Sequence, residues 1–222
     1  SSSPTRRGGR VGSVGADITV SQALRTPAFW LISIGHGLTA MVLMAVMAHL
    51  GLLMVEDKGF DVQTTGWIVM VYVAFAMVSQ LVGGYIGDRA PKRIALAVFS
   101  AIQASGVVIL ATASSITSFY IFAVLFGVGM GGRVPLAVAI RGEYFGRASF
   151  GKILGLSTVP MNLLMLVAAP MAGYIRDDRG SYTLAFWILA GLNFLGAALF
   201  LMAKRPGLRP TVARPEVAQP AY

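Results

Sequence analysis

Long apolar stretches separated by short polar ones dominate the chain between residues 28 and 203. A helix needs about 20 largely apolar residues to cross the hydrocarbon core of a bilayer. No Asn-Gly hairpin signal separates the stretches, and their length favours helices over strands. Six stretches are long enough, and we expect membrane-spanning helices over approximately residues 28–55, 66–86, 94–113, 119–140, 153–175 and 182–203.

The connections between these spans are short, which predicts that each helix is an antiparallel neighbour of the next. The flanks differ from the spans in composition. Residues 1–20 are polar, basic and rich in Gly and Ser, and the tail is rich in Pro. We therefore predict a flexible cytoplasmic linker over 1–20, a six-helix transmembrane domain over 21–204 and a disordered cytoplasmic tail over 205–222. Because the chain starts inside such a linker, we expect a fragment of a longer protein or a start that lies upstream.

The composition excludes several classes of protein. Of the 222 residues, 56% are hydrophobic and 12% are charged, against about 25% charged residues in soluble domains. The net charge is +9, but the basic residues do not interleave with aromatics on a folded face, so nucleic-acid binding is not expected. There is no cysteine, which excludes disulfides and thiolate metal sites. Without an H-E-x-x-H motif, a nucleophile elbow or paired intramembrane carboxylates, the pattern predicts neither an enzyme nor a bound cofactor.

The distribution of Lys and Arg predicts the orientation in the membrane. Of the 18 basic residues, fourteen fall on one side of the predicted spans and three on the other, while Arg133 lies within a span. Since basic residues are enriched in cytoplasmic loops, both termini are predicted to be cytoplasmic. The larger group comprises Arg6, Arg7, Arg10, Arg25, Arg89, Lys92, Arg93, Arg141, Arg147, Lys152, Lys204, Arg205, Arg209 and Arg214, and the smaller comprises Lys58, Arg176 and Arg179.

A short motif occurs twice. GYIGD at residues 84–88 recurs as GYIRD at residues 173–177. Each copy ends the second helix of a three-helix unit, and because three is odd the two copies face opposite sides of the membrane. This predicts an all-α membrane protein whose six transmembrane helices form two inverted three-helix repeats.

The motif is also where the chain becomes recognisable. GYIGDRAPKR resembles the G-x-x-x-D-R-x-G-R-R loop of the major facilitator superfamily, with Pro91 where that pattern usually has Gly. The segments FGVGMGGRVPLAVAIRGEYFGRASFGKILGLS and AGYIRDDRGSYTLAFW look like its tenth to twelfth helices. The segment that begins SQALRTPAFW is similar to the seventh helix of the group containing monocarboxylate and oxalate–formate carriers. The resemblance covers about residues 21–204 and implies the C-terminal half of a twelve-helix carrier.

The resemblance implies that the first copy of the motif is a gating loop. We expect the carboxylate of Asp88 to accept from backbone N–H groups of the next helix and to pair with a cation. The alternative is an ordinary basic loop on the cytoplasmic side. The predicted gating residues are Gly84, Asp88, Arg89, Lys92 and Arg93.

Arg133 is the one charged side chain deep in a predicted span, about 12 Å from its cytoplasmic end. An ionisable residue at that depth costs at least about 2.5–3.5 kcal/mol and is a functional candidate, expected to face a cavity. The alternative is that it snorkels to the interface or pairs with Glu143. In the same helix, Gly127 and Gly131 are spaced for close helix packing and Pro135 for a kink. Such interruptions are also typical of transport sites.

His36 and Asn162 lie at about the same depth as Arg133, about 13 Å from the cytoplasmic ends of their helices. The resemblance places these three helices around a central cavity, so we predict Arg133, His36 and Asn162 as substrate-binding residues. His36 could instead be a proton relay or a hydrogen-bonded packing residue. Gln103 is equally deep, but the resemblance places its helix at the periphery.

The combined expectation is the C-terminal half of a secondary transporter that moves a small organic anion, possibly a carboxylate, by alternating access. Its expected partners are the small-molecule substrate, the lipid bilayer and an N-terminal six-helix half, supplied by the same chain or by a second subunit. The alternatives are a carrier for another small metabolite or drug, and a six-span scaffold protein without transport activity.

Overall fold

A computed structural model describes residues 18–146 and 149–207, and all regular structure in these ranges is helical. Six of the seven α-helices, α2 to α7, are long and apolar enough to cross a membrane, which confirms the six predicted spans. A π-helical turn, Leu53–Asp57, continues α2. The helices are α1 (Val20–Leu24), α2 (Pro27–Leu52), α3 (Val62–Gly87), α4 (Lys92–Thr112), α5 (Ile116–Phe145), α6 (Phe150–Arg179) and α7 (Thr183–Met202).

Among the six long helices, α5 and α6 extend furthest beyond their predicted apolar stretches. α5 and α6 have 30 residues each, which corresponds to about 45 Å. α5 continues to Phe145, so Arg141, expected just beyond the end of the fourth span, lies inside the helix. Hydropathy identifies only the apolar part of a helix. The backbone hydrogen bonds of the helix continue through the polar residues at its ends. Most of the predicted linker and tail lies outside the described residues, and α1 already begins at Val20, within the range predicted as linker.

The helices begin where the sequence offers capping residues. Thr26 accepts a hydrogen bond from the N–H of Phe29, and Pro27 occupies the first helical position of α2. Asp61 caps α3, where its carboxylate accepts from the hydroxyl of Thr64 at 2.6 Å and from its N–H at 2.8 Å. The side-chain bond and then the backbone bond hold the pKa of Asp61 below its usual value. Gly180, at φ +68°, ends α6 in the left-handed conformation.

Most consecutive membrane helices do not pack along their length. Of the five consecutive pairs, only α4 and α5 do so; otherwise α3 packs against α5, α4 against α7, and α2 against both α6 and α7. The prediction that each helix neighbours the next was therefore wrong for four pairs. A short loop brings only the ends of two helices together. Which helices pack along their length depends on which helix surfaces allow close approach.

The packing has the pattern of an inverted repeat. Suppose that α2, α3 and α4 are exchanged, in that order, with α5, α6 and α7. The contact of α3 with α5 then becomes that of α6 with α2, and the contact of α4 with α5 becomes that of α7 with α2. The contact of α4 with α7 is unchanged. All of these contacts are present and extensive. The described helices therefore pair as two inverted three-helix units, as the GYIxD recurrence predicted.

Glycines allow α5 to fit tightly between α3 and α4. A Cβ added to Gly127 would overlap the backbone of Tyr72, and one added to Gly131 would overlap the backbone of Ala76, both on α3. Gly129 is in equally close contact with α4. The prediction that Gly127 and Gly131 form a close-packing face is confirmed. With α4 and α5 enclosed in this way, α3 and α6 are the most exposed of the six long helices.

Candidate functional site

Arg133 lies inside the bundle, between α2, α4 and α5, and is only 2% exposed. Its Nε donates to Oε1 of Gln103 at 2.9 Å, and its Nη2 donates to the backbone oxygen of Thr39 at 3.1 Å. It neither snorkels to the interface nor pairs with Glu143, which instead binds Lys92. The expectation that Arg133 faces an open cavity is wrong for this structure, because the close approach of α4 and α5 encloses it.

Gln103 is the partner that the sequence reading set aside. It is fully buried on α4, and its amide nitrogen lies 3.5 Å from the same carbonyl of Thr39 that Arg133 binds. Its depth, equal to that of Arg133, was the available signal. The resemblance places α4 at the periphery, and for that reason Gln103 is not among the predicted substrate residues.

Arg141 is a second buried guanidinium on α5, with 1% of its surface exposed. Its Nε donates to Oγ of Ser157 on α6 at 2.6 Å, and its Nη2 lies 3.2 Å from Nδ1 of His36 on α2. Its Nη1 donates to the carbonyl of Ala137 in its own helix. The hydroxyl of Ser157 is also 2.8 Å from that of Ser33 on α2. Arg141 therefore joins three helices.

His36 contacts the guanidinium of Arg141 and is partly exposed. Both Arg133 and Arg141 are close enough to act on it electrostatically. An arginine N–H can only donate, so Nδ1 of His36 must accept, which leaves a neutral imidazole with its proton on Nε2. Of the predicted substrate residues, the structure thus brings Arg133 and His36 into one polar cluster.

Neither buried arginine has a carboxylate partner among the described residues. The ion pairs in this part of the chain involve charged groups near the helix ends. The acceptors around Arg133 and Arg141 are neutral: an amide, a hydroxyl, an imidazole and two backbone carbonyls. Two positive charges in a low-dielectric interior are therefore held by dipoles alone, an arrangement in which an added anion would be favourable.

Asn162 lies apart from this cluster, on the exposed side of α6, and makes no hydrogen bond to His36 or Arg133. It lines a groove of about 490 Å³ with Met44, Met165, Leu166, Ala169 and Pro170. Its amide has no hydrogen-bond partner among the described residues. A free amide at mid-span is unfavourable against lipid, so this groove is better suited to water, a ligand or another protein surface.

The predicted gating loop follows α3. Arg89 stacks on the ring of Tyr85 at 3.6 Å, and Lys92 binds Glu143 at the end of α5 at 2.7 Å. Gly84 faces open space. Among the described residues the carboxylate of Asp88 makes no ion pair, and α4 begins after Pro91 without a side-chain cap. The contacts expected of Asp88 are therefore not found in this part of the chain.

The second copy of the motif forms the corresponding contacts on the opposite side. Arg176 binds Glu56 at 3.2 Å and Asp57 at 3.1 Å, at the end of the π-helical turn that follows α2. Like Lys92–Glu143, this contact reaches the end of the first helix of the other unit, but Arg176 lies within the motif in α6, whereas Lys92 is the first residue of α4. Nearby, His49 bonds to the hydroxyl of Tyr182 and to the carbonyl of Ala169. The described residues contain no cluster of potential metal ligands.

The six spans, the paired inverted units and the polar interior define a multi-pass membrane protein of the carrier class. The family model of the Major Facilitator Superfamily matches residues 30–221, and the chain belongs to this superfamily. Membership identifies a carrier fold and not an enzyme.

Similar proteins include monocarboxylate transporter 13 of Rattus norvegicus, 25% identical over 79% of this chain and 40% of the relative. The niacin transporter NiaP of Acinetobacter baylyi is 26% identical over 72% of this chain and 36% of the relative. Among solved structures, tetrameric PepTSo2 aligns with a TM-score of 0.71 at 16% identity, over 80% of this chain and 40% of that chain. The chain thus spans about 40% of the length of these proteins.

Proposed function

We propose that this chain is the C-terminal six-helix half of a secondary transporter that moves a small organic anion, a carboxylate in the first instance, by alternating access. The observation that carries the proposal is the pair of buried guanidinium groups, Arg133 and Arg141, without a carboxylate partner among the described residues. A bound carboxylate would supply the missing negative charge in a medium of low dielectric constant. The similarity to monocarboxylate and niacin transporters supports the same substrate class.

The proposed partner is an N-terminal six-helix half, in the same polypeptide or in a second subunit. Two observations support it: the chain spans about 40% of the length of its relatives, and α3 and α6 leave broad exposed faces. We assign the groove at Asn162 to the wall of the cavity between the halves, where water or substrate can satisfy the amide. Arg133, enclosed behind this wall, then contributes positive potential at the cavity without contacting the substrate directly.

We place both termini in the cytoplasm and the protein in the plasma membrane, with the bacterial inner membrane as the first candidate. Seven basic residues in the described ranges flank the helix ends on the proposed cytoplasmic side, against three on the other. The seven are Arg25, Arg89, Lys92, Arg93, Lys152, Lys204 and Arg205.

The loop from Gly84 to Arg93 is proposed to gate the cytoplasmic side rather than to bind substrate. Through Lys92, the first residue of α4, and Glu143, near the end of α5, it connects the third helix of one unit to the first helix of the other. A movement of α5 relative to α4 would therefore act on this loop directly. Asp88 and Arg89 flank the connection, at the end of α3.

Uptake into proteoliposomes that contain the complete carrier tests the substrate class. Nicotinate and nicotinamide form a matched pair, because they share a ring and differ in a carboxylate against a neutral amide; L-lactate extends the panel. We expect uptake of at least one of the two carboxylates and none of nicotinamide. Uptake of nicotinamide at the rate of nicotinate would support a carrier of neutral metabolites instead, and absence of uptake of both carboxylates would contradict the proposal.

A further inference from the structure

The side-chain hydrogen bonds of Arg141 show which of the two buried guanidinium groups can change partners. We propose that Arg141 is a second anion-binding residue, which exchanges its bonds to His36 and Ser157 for the carboxylate of an organic anion. The proposal rests on the anion-transport function above, but it does not depend on any direct contact of substrate with Arg133.

The geometry of the guanidinium supports the exchange. Nε and Nη2 form one edge of the planar group, and their two N–H bonds are parallel, which is the arrangement that binds a carboxylate through both oxygens. In Arg141 this edge is occupied by two separate neutral acceptors, Oγ of Ser157 at 2.6 Å and Nδ1 of His36 at 3.2 Å. The remaining nitrogen, Nη1, bonds to the carbonyl of Ala137 and holds the group in place during an exchange.

Arg133 uses the same edge, but its acceptors cannot move aside as easily. One is the backbone carbonyl of Thr39 within α2, and the other is the amide of Gln103, which has no exposed surface. Both acceptors of Arg141 are side chains that can rotate away. His36 is in addition partly exposed, so an anion can approach the cluster along its imidazole.

Ser157 lies on α6, which is the most exposed of the long helices and makes few other contacts with α5. Three residues further on, Pro160 cannot donate a backbone hydrogen bond to the preceding turn, so the part of α6 that carries Ser157 is less firmly held to the rest of the helix. Binding of an anion at Arg141 would release Ser157 and thereby loosen the contact between α5 and α6. The site would thus connect occupancy to a change in helix packing.

Dissociation constants for nicotinate and L-lactate, measured on the purified complete carrier, test the proposal. Arg141→Lys keeps the charge but loses the two-pronged edge, so we expect about tenfold weaker binding, the factor that corresponds to about 1.4 kcal/mol. His36→Ala removes an acceptor that competes with the anion, so binding should become roughly threefold or more tighter, a factor that starts at the lower end of the net contribution of one hydrogen bond. Arg25→Lys, the same exchange at an exposed position, is the control and should leave affinity unchanged.

The opposite signs of the two effects separate an anion site from a structural contact. If Arg141 only stabilised the fold, both variants would lower the yield of folded protein without tightening binding. Wild-type affinity in Arg141→Lys, or weakened binding in His36→Ala, would overturn the proposal. Should Arg141→Lys fail to fold, Ser157→Ala replaces it: it removes the other competing acceptor and should also tighten binding, and unchanged or weaker binding would refute the exchange. A wild-type protein that binds neither anion would instead refute the proposed function itself.

Discussion

Gln103 and Arg133 should depend on each other for their contribution to stability. The single variants Gln103→Leu and Arg133→Met each break the bond of 2.9 Å between the two side chains, but leave different groups behind. Gln103→Leu leaves Nε of a buried cation without its acceptor. Arg133→Met leaves the amide oxygen of Gln103 without its donor. The double variant leaves neither, and fills the same space with apolar side chains.

The expected magnitudes follow from burial. Both groups are at most 2% exposed, so water cannot replace the lost partner. An orphaned buried polar group costs about 1–3 kcal/mol, and more when it is charged. We expect a loss of about 3 kcal/mol for Gln103→Leu and about 2 kcal/mol for Arg133→Met. The double variant should be close to wild type, because buried ionic groups replaced together by apolar ones often cost nothing. The two single losses together then exceed the loss in the double variant by about 5 kcal/mol, which is the expected coupling energy.

Unfolding in mixed micelles, followed by the fluorescence of the three tryptophans, measures these differences. Gln80→Leu combined with Arg133→Met is the matched control, since Gln80 lies exposed on α3 and its effect should add to that of Arg133→Met. Additivity within about 0.5 kcal/mol for the Gln103 pair would show that the two residues are energetically independent and refute the reasoning.

Further predictions concern packing, an unpaired amide and the loop. Gly131→Ala should lower stability by about 1–3 kcal/mol in a thermal unfolding assay, because its Cβ would overlap the backbone of Ala76. Gly84 faces open space, so Gly84→Ala should be neutral or slightly stabilising in the same assay. The reverse order of stabilities would contradict the packing. Asn193→Leu should raise stability by about 1–3 kcal/mol, since this amide is fully buried without a partner among the described residues; a decrease on thermal unfolding would indicate a bound water. Asp88→Asn should slow uptake by the complete carrier with little change in substrate affinity, and weaker binding at an unchanged rate would argue against a gating role.

Several features of the fold could be predicted from the sequence because they are local. Six spans follow from hydropathy, which sums over neighbouring residues. The inverted units follow from a motif that recurs after an odd number of helices, and the tight packing of α5 from glycines at positions 127 and 131. The superfamily followed from the pattern around Asp88. The lengths of α5 and α6 were underestimated because the ends of these helices continue through polar residues that hydropathy assigns to loops.

The candidate site was predicted in part. Arg133 and His36 were expected at one depth and do lie in one cluster, since depth depends only on the distance along a helix. Neither Gln103 nor Arg141 was among the predicted substrate residues, although Gln103 bonds to Arg133 and Arg141 bonds to His36. Their roles depend on which faces of α4 and α5 point toward α2. A helix that is hydrophobic on every side gives no sequence pattern from which its rotation about its own axis could be predicted.

The sequence by itself therefore determined that this protein crosses the membrane six times, in two inverted units, with arginine at the level of the hydrocarbon core. Only the tertiary structure decided what that arginine contacts. Close approach at Gly129 and Gly131 brings α5 against α4 and α3, and the guanidinium of Arg133 is enclosed between Gln103 of α4 and the carbonyl of Thr39 of α2. Hydropathy depends only on residues that are neighbours in the sequence. A buried charge is stabilised by groups that are distant in sequence, and those groups come together only when the helices pack.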